Sequence, residues 1–130
     1  MQSYKELLAW QQSMALASKV YQVTKTFPRE ETYGLTSQLR RSAVSVPSNI
    51  AEGQGRATRG GFVQFLCMAR GSLFELETQL LMAKELKYLD VRQDPMLFQQ
   101  LTRVAQLLNA LISSLKSPAK RSTIHDLRST

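Results

Sequence analysis

The chain has 130 residues, room for one domain and little more, and 43% of them are hydrophobic, which excludes a disordered chain. Seventeen Lys and Arg against ten Asp and Glu give a net charge of +7, a balance that draws a small domain toward polyanions. The single cysteine, Cys67, excludes an intrachain disulfide. The first ten residues carry no secretory pattern, and no apolar run reaches the ~18 residues that a membrane span requires, so the expected location is the cytoplasm.

Helical periodicity dominates from the start. Over residues 4–27, Leu7, Trp10, Met14, Ala17 and Tyr21 recur at alternating steps of three and four. Leu16, Val20, Val23 and Phe27 form a second stripe beside them. One stripe fills a core, and two adjacent stripes make a face wide enough to touch a neighbouring subunit as well. The aromatic members Trp10 and Tyr21 are expected in the core. Pro28 stops this helix, and residues 28–34 read as a turn.

A second helix is predicted over residues 36–52, with Leu35, Leu39, Ala43, Val46 and Ile50 as its buried stripe. Pro47 lies inside it, which predicts a kink near residues 43–47, and Ser42, Ser45 and Ser48 stand ready to bond freed backbone groups. Gly53 and Gly55 are read as its end, and Gly60 and Gly61 as part of the following linker. The third helix, residues 61–88, repeats Phe62, Leu66, Ala69, Leu73, Leu76, Leu80 and Ala83, with Phe65, Phe74 and Leu81 widening the face. Gly71 within it predicts a close helix crossing, because glycine there costs about 1 kcal/mol relative to alanine. Asp94 as N-cap and Pro95 at the first helical position open the fourth helix, whose stripe is Leu97, Leu101, Val104, Leu108, Leu111 and Leu115; Pro118 ends it.

These elements predict an all-α fold: an antiparallel up-down-up-down four-helix bundle over residues 1–116, followed by a flexible basic tail over residues 117–130.

No cofactor or metal chemistry is legible. A di-metal bundle site needs Glu-x-x-His on two helices, and the sole histidine, His125, falls in the tail, away from Glu52, Glu75, Glu77 and Glu85. Cys67 reads as a small buried side chain. The stretch Gly53-Gln54-Gly55-Arg56 follows a helix, where a nucleotide fingerprint would follow a strand. The expectation is a protein without enzymatic activity.

The basic residues are the better candidates. Arg40 and Arg41 share the second helix, Arg56 and Arg59 lie after it, and Lys116, Lys120 and Arg121 follow the last helix. Arginine's fork suits phosphate oxygens, so these seven are the candidate nucleic-acid contacts. Aromatic interleaving is poor, so binding would be driven by the backbone of RNA or DNA and be salt-dependent. A structural reading competes for Arg40 and Arg41, which could pair with Glu52, Glu75 or Glu77; Arg41 also shares one helix side with Ser45, Ser48 and Glu52, a polar seam suited to assembly.

Two long runs then carry a resemblance. Residues 27–35 (FPREETYGL) with 38–53 (QLRRSAVSVPSNIAEG), and residues 71–80 (GSLFELETQL), resemble the signature blocks of a bacterial four-helix bundle family. Its members are encoded within intervening sequences of large-subunit ribosomal RNA genes, and the accessory variability proteins of diversity-generating retroelements are similar. The resemblance spans residues 4–115 and implies a ring-like homopentamer. It also implies a nucleic-acid-binding basic surface or, alternatively, an adaptor role toward a partner such as a reverse transcriptase. Arg40, Arg41, Asn49 and Glu52 match the family's distinctive polar positions. Arg41, Ser45, Asn49 and Glu52 are therefore the candidate structural or assembly motif.

Overall fold

The computed structural model describes residues 3–117. They form four α-helices and no strand: α1 (Leu8–Thr24), α2 (Leu35–Gln54), α3 (Arg59–Glu85) and α4 (Leu97–Lys116), with single 3-10 turns at Tyr4–Glu6 and Arg29–Glu31. Each helix packs on its chain neighbours, and α4 closes the bundle against α1. The tail with Pro118, Lys120, Arg121 and His125 lies outside the described residues.

The core is made of the predicted stripes of α3 and α4. Phe62, Leu66, Ala69, Leu73, Leu76, Leu80 and Ala83 are all buried, as are Leu97, Leu101, Val104, Leu108, Leu111 and Leu115. From α2 come Leu39, Ala43, Val46 and Ile50. Full burial of one such side chain contributes about 1.5–3 kcal/mol, against roughly 0–1 kcal/mol for an exposed ion pair, so apolar packing holds this fold.

In α1 the two stripes exchange the roles assigned to Trp10 and Tyr21. Leu16, Val20, Val23 and Phe27 face the core, while Met14 and Tyr21 are exposed and Trp10 is half-buried. The reason lies at the start of the helix. A capping box on Ser3 and Glu6 builds a separate turn, and extended Leu7 (φ −71°, ψ 126°) enters the core before α1 begins. The Trp10 ring then sits edge-on to Tyr4, at 5.3 Å.

Helix α2 runs unbroken through Pro47. Proline removes the donor that the Ala43 carbonyl would use, and neighbouring side chains donate to the next two carbonyls: Ser48 Oγ to Val44 O (2.8 Å) and Asn49 Nδ2 to Ser45 O (2.9 Å). Gly53 lies inside this helix and is buried; Gly55 is the cap. A Cβ on Gly53 would stand 2.7 Å from Phe65 Cβ and 3.1 Å from Phe62 Cδ1, so the close helix crossing is here. At Gly71 a Cβ would meet nothing within 4 Å, and the crossing predicted there is absent. Gly60 and Gly61 belong to the first turn of α3, under the Thr58 cap, whose Oγ1 accepts from Gly61 N (3.0 Å).

Two further boundaries differ from expectation. Helix α3 ends at Glu85, because Lys87 takes a left-handed φ of 64° and reverses the chain. That reversal lays the Tyr88 ring near Phe27 (5.7 Å) and lets its hydroxyl donate to Glu31 Oε2 (3.1 Å). The other Glu31 oxygen accepts from Leu35 N (3.0 Å) and caps α2. Helix α4 begins at Leu97, after Asp94 and Pro95, for the Asp94 carboxylate faces Lys19 Nζ at 3.6 Å instead of capping the helix.

Gly53→Ala should destabilise the protein by about 1–3 kcal/mol through overpacking, while Gly71→Ala should stabilise it by up to about 1 kcal/mol; urea midpoints of the two variants, moving in opposite directions, check both.

The hydrogen bond to Glu31, with burial next, raises the Tyr88 pKa above the ordinary 10.0. The folded value exceeds the unfolded one, so this stabilisation is full below the unfolded pKa and is lost as pH rises through the folded pKa. The urea midpoint of the wild type should therefore fall relative to Tyr88→Phe as the pH rises above about 10, measured in parallel.

Candidate nucleic-acid interface

The five basic candidates among the described residues separate into three groups. Arg40 binds α1: its Nε donates to Thr24 Oγ1 (2.9 Å), and its guanidinium lies 4.7 Å from the centre of the Tyr21 ring. Thr24 is buried and donates in turn to Val20 O (2.8 Å). Arg40 is thus held in place by the joint between the first two helices.

Arg56, Arg59 and Lys116 gather at one end of the bundle. Arg56 follows α2, pairs with Glu52 Oε2 (2.9 Å) and lies over the Phe65 ring, 4.3 Å from its centre. Arg59 opens α3 and donates through Nη1 to Leu115 O (3.4 Å) at the close of α4. That bond sets the α2–α3 loop beside Lys116, which is exposed in the last turn of α4. The first turn of α3 carries no acidic residue, so the positive end of its helix dipole adds to the potential at the same end. Lys120 and Arg121 lie outside the described residues.

Arg41 stands apart. It is exposed and makes no hydrogen bond or ion pair with any described residue. It lines a polar cleft of about 500 Å³ between α2 and α3, with Gln38, Ser42, Ser45, Glu75 and Gln79. Glu75 receives one long hydrogen bond there, from Ser42 Oγ at 3.4 Å. Gln79 Oε1 is buried without a donor. Such an orphan acceptor costs about 1–3 kcal/mol.

The assembly motif divides in the same way. Asn49 Nδ2 reaches Ser45 Oγ (3.0 Å), and the Ser45 and Ser72 hydroxyls share a 2.8 Å hydrogen bond that ties α2 to α3. Glu52 belongs to the Arg56 pair, and Arg41 to the cleft.

Sequence reasoning missed two surface features. The first is Gln79, which reads on a helix as a solvated residue. The second is an apolar groove of about 570 Å³ between α1 and α2, lined by Tyr4, Trp10, Met14, Tyr21, Val44 and Pro47. The first α1 stripe, with Trp10, Met14, Ala17 and Tyr21, was the available signal for it. Among the described residues no group of His, Cys, Asp and Glu can hold a metal ion, and no helix is long and apolar enough to cross a membrane. Cys67 is half-buried, with Arg70 Nη2 at 3.9 Å from its sulfur.

This arrangement defines a basic, all-α four-helix protein with a cationic end, a polar cleft and an apolar groove. The chain belongs to the 23S rRNA-intervening sequence protein family, whose model matches residues 5–110. It is also similar to the crystal structure of a protein of unknown function from the S23 ribosomal protein family of Bacteroides thetaiotaomicron VPI-5482. The two share 22% identity and a TM-score of 0.71, over 85% of this chain and all of the other. No curated protein matches the chain.

Arg40→Ala should cost about 0.5–1.5 kcal/mol of stability, because it removes the hydrogen bond to Thr24 and the Tyr21 ring contact that join α2 to α1, whereas Arg41→Ala should stay within about 0.5 kcal/mol of the wild type; denaturant titrations of the two variants decide this.

Proposed function

We propose that the chain is a non-enzymatic, oligomeric bundle protein that binds the RNA or DNA backbone through its basic end and works in the cytoplasm. The observation that carries this reading is the Arg59 bond to Leu115 O, which brings Arg56, Arg59 and Lys116 to one end of the molecule. The helices run antiparallel, up-down-up-down: Arg40 near the start of α2 reaches Thr24 at the close of α1, and Arg59 at the start of α3 reaches the close of α4. Lys120 and Arg121 follow directly in the sequence and would add charge to the same partner. The family's name, which links its members to 23S rRNA intervening sequences, agrees with a nucleic-acid partner.

Oligomerisation is supported by the apolar groove, where Met14 and Tyr21 are each more than two-fifths exposed. The number five rests on the family resemblance. The same groove favours a second reading, an adaptor that docks a protein such as a reverse transcriptase.

The test is a titration of the purified protein against labelled structured RNA and duplex DNA at rising salt. Binding should weaken steeply with salt, and Arg56→Ala/Arg59→Ala/Lys116→Ala should lower the affinity and reduce the slope of log K against log salt by about one per cation removed. Absence of binding at low salt would leave the adaptor reading. In sedimentation, Met14→Glu should shift the protein toward monomer, and a stable wild-type monomer would remove the oligomer.

A further inference from the structure

The cleft between α2 and α3 is built unlike the basic end. Among the described residues, its walls are a guanidinium without a partner, a carboxylate with spare acceptor capacity and a buried amide oxygen with no donor. Arg41 and Glu75 line one cavity and yet form no ion pair with each other. A carboxylate accepts about four hydrogen bonds and a guanidinium donates about five, so both retain most of their capacity. The volume, about 500 Å³, lies within the ~300–1,000 Å³ of small-ligand sites. A phosphate would be repelled by Glu75 and would leave Gln79 Oε1 still without a donor. The ligand must bring donors to the α3 wall and acceptors to Arg41.

We infer that this cleft takes the edge of one unpaired guanine base from a single-stranded segment of the nucleic acid. Among the four bases, guanine presents neighbouring donors, N1–H and the 2-amino group, together with the acceptors O6 and N7. The donors meet Glu75 and Gln79 Oε1, and O6 and N7 accept from Arg41, the pairing arginine makes most often with guanine. Single-stranded bases are read on these edges, whereas a duplex engages the N1–H and 2-amino donors in base pairing. The cleft has no aromatic wall, so hydrogen bonding along the edge carries the recognition, in place of stacking. The inference rests on the nucleic-acid reading above and adds base selectivity to it: the basic end supplies affinity, and the cleft supplies choice.

The experiment uses the full chain and fluorescently labelled RNA decamers read by anisotropy: all-uridine, uridine with one central guanosine, and the same strand with inosine, which lacks the 2-amino group. The guanosine strand should bind about tenfold tighter than the all-uridine strand, with inosine between them. Glu75→Gln and Arg41→Ala should each bring the ratio of the two affinities close to one. That ratio is the readout, because a change in overall charge moves both affinities together. Glu75→Gln is nearly isosteric and keeps the test valid if Arg41→Ala folds poorly. Equal affinity for guanosine and uridine strands, or a guanosine preference that survives both substitutions, overturns the guanine site and leaves the basic end standing. No binding of any strand at low salt overturns both.

Discussion

The close approach of α2 and α3 at Gly53 is the constraint on which the rest of this protein depends. With no side chain at Gly53, the α2 backbone lies against Phe62 and Phe65, and the Ser45–Ser72 hydroxyl pair fixes the same two helices nearer their middles. Close packing at a glycine is intolerant of even one added methyl group, since interiors are filled to crystal-like density. Everything proposed for function hangs from this joint. It fixes where the loop with Arg56 emerges and how Arg59 meets α4, and it forms the two walls of the polar cleft.

The joint also explains why polar groups cluster on α2. Pro47 takes one donor out of the helix ladder, and Ser48 and Asn49 turn their side chains back to the carbonyls near it. Asn49 also holds the Ser45 hydroxyl that meets Ser72. A seam that reads in the sequence as a structural or assembly motif is thus, in part, repair of the helix backbone and, in part, the bond to α3. Arg41 is the member of the seam that this work leaves free.

Four helices were legible because a period near 3.6 is imposed by one buried face, and α3 and α4 each have one such face: every predicted stripe residue there is buried. Helix α1 has two adjacent apolar stripes, and the pattern alone does not say which one meets the core; the turn before it and extended Leu7 decide that. Gly53 reads in the sequence as a helix end and Gly71 as a helix crossing, and only the neighbouring helix shows that the crossing is at Gly53. Asp94-Pro95 has the chemistry of a helix start, but Lys19, far off in the sequence, competes for the carboxylate. The gathering of Arg56, Arg59 and Lys116 needed the fold as well, because a bond between residues 59 and 115 has no local signal. For Arg40 the sequence offers glutamates as structural partners, and only the fold shows that the partner is Thr24.

The central claim is that the end of the bundle carrying Arg56, Arg59 and Lys116 is where nucleic acid lies. Hydrogen–deuterium exchange of the protein with and without a saturating structured RNA at low salt tests it most directly. Protection should rise in the α2–α3 loop and the last turn of α4, with the opposite end, around Arg29 and Lys87, unchanged. Protection confined to the groove face of α1, or none at either end, would contradict it.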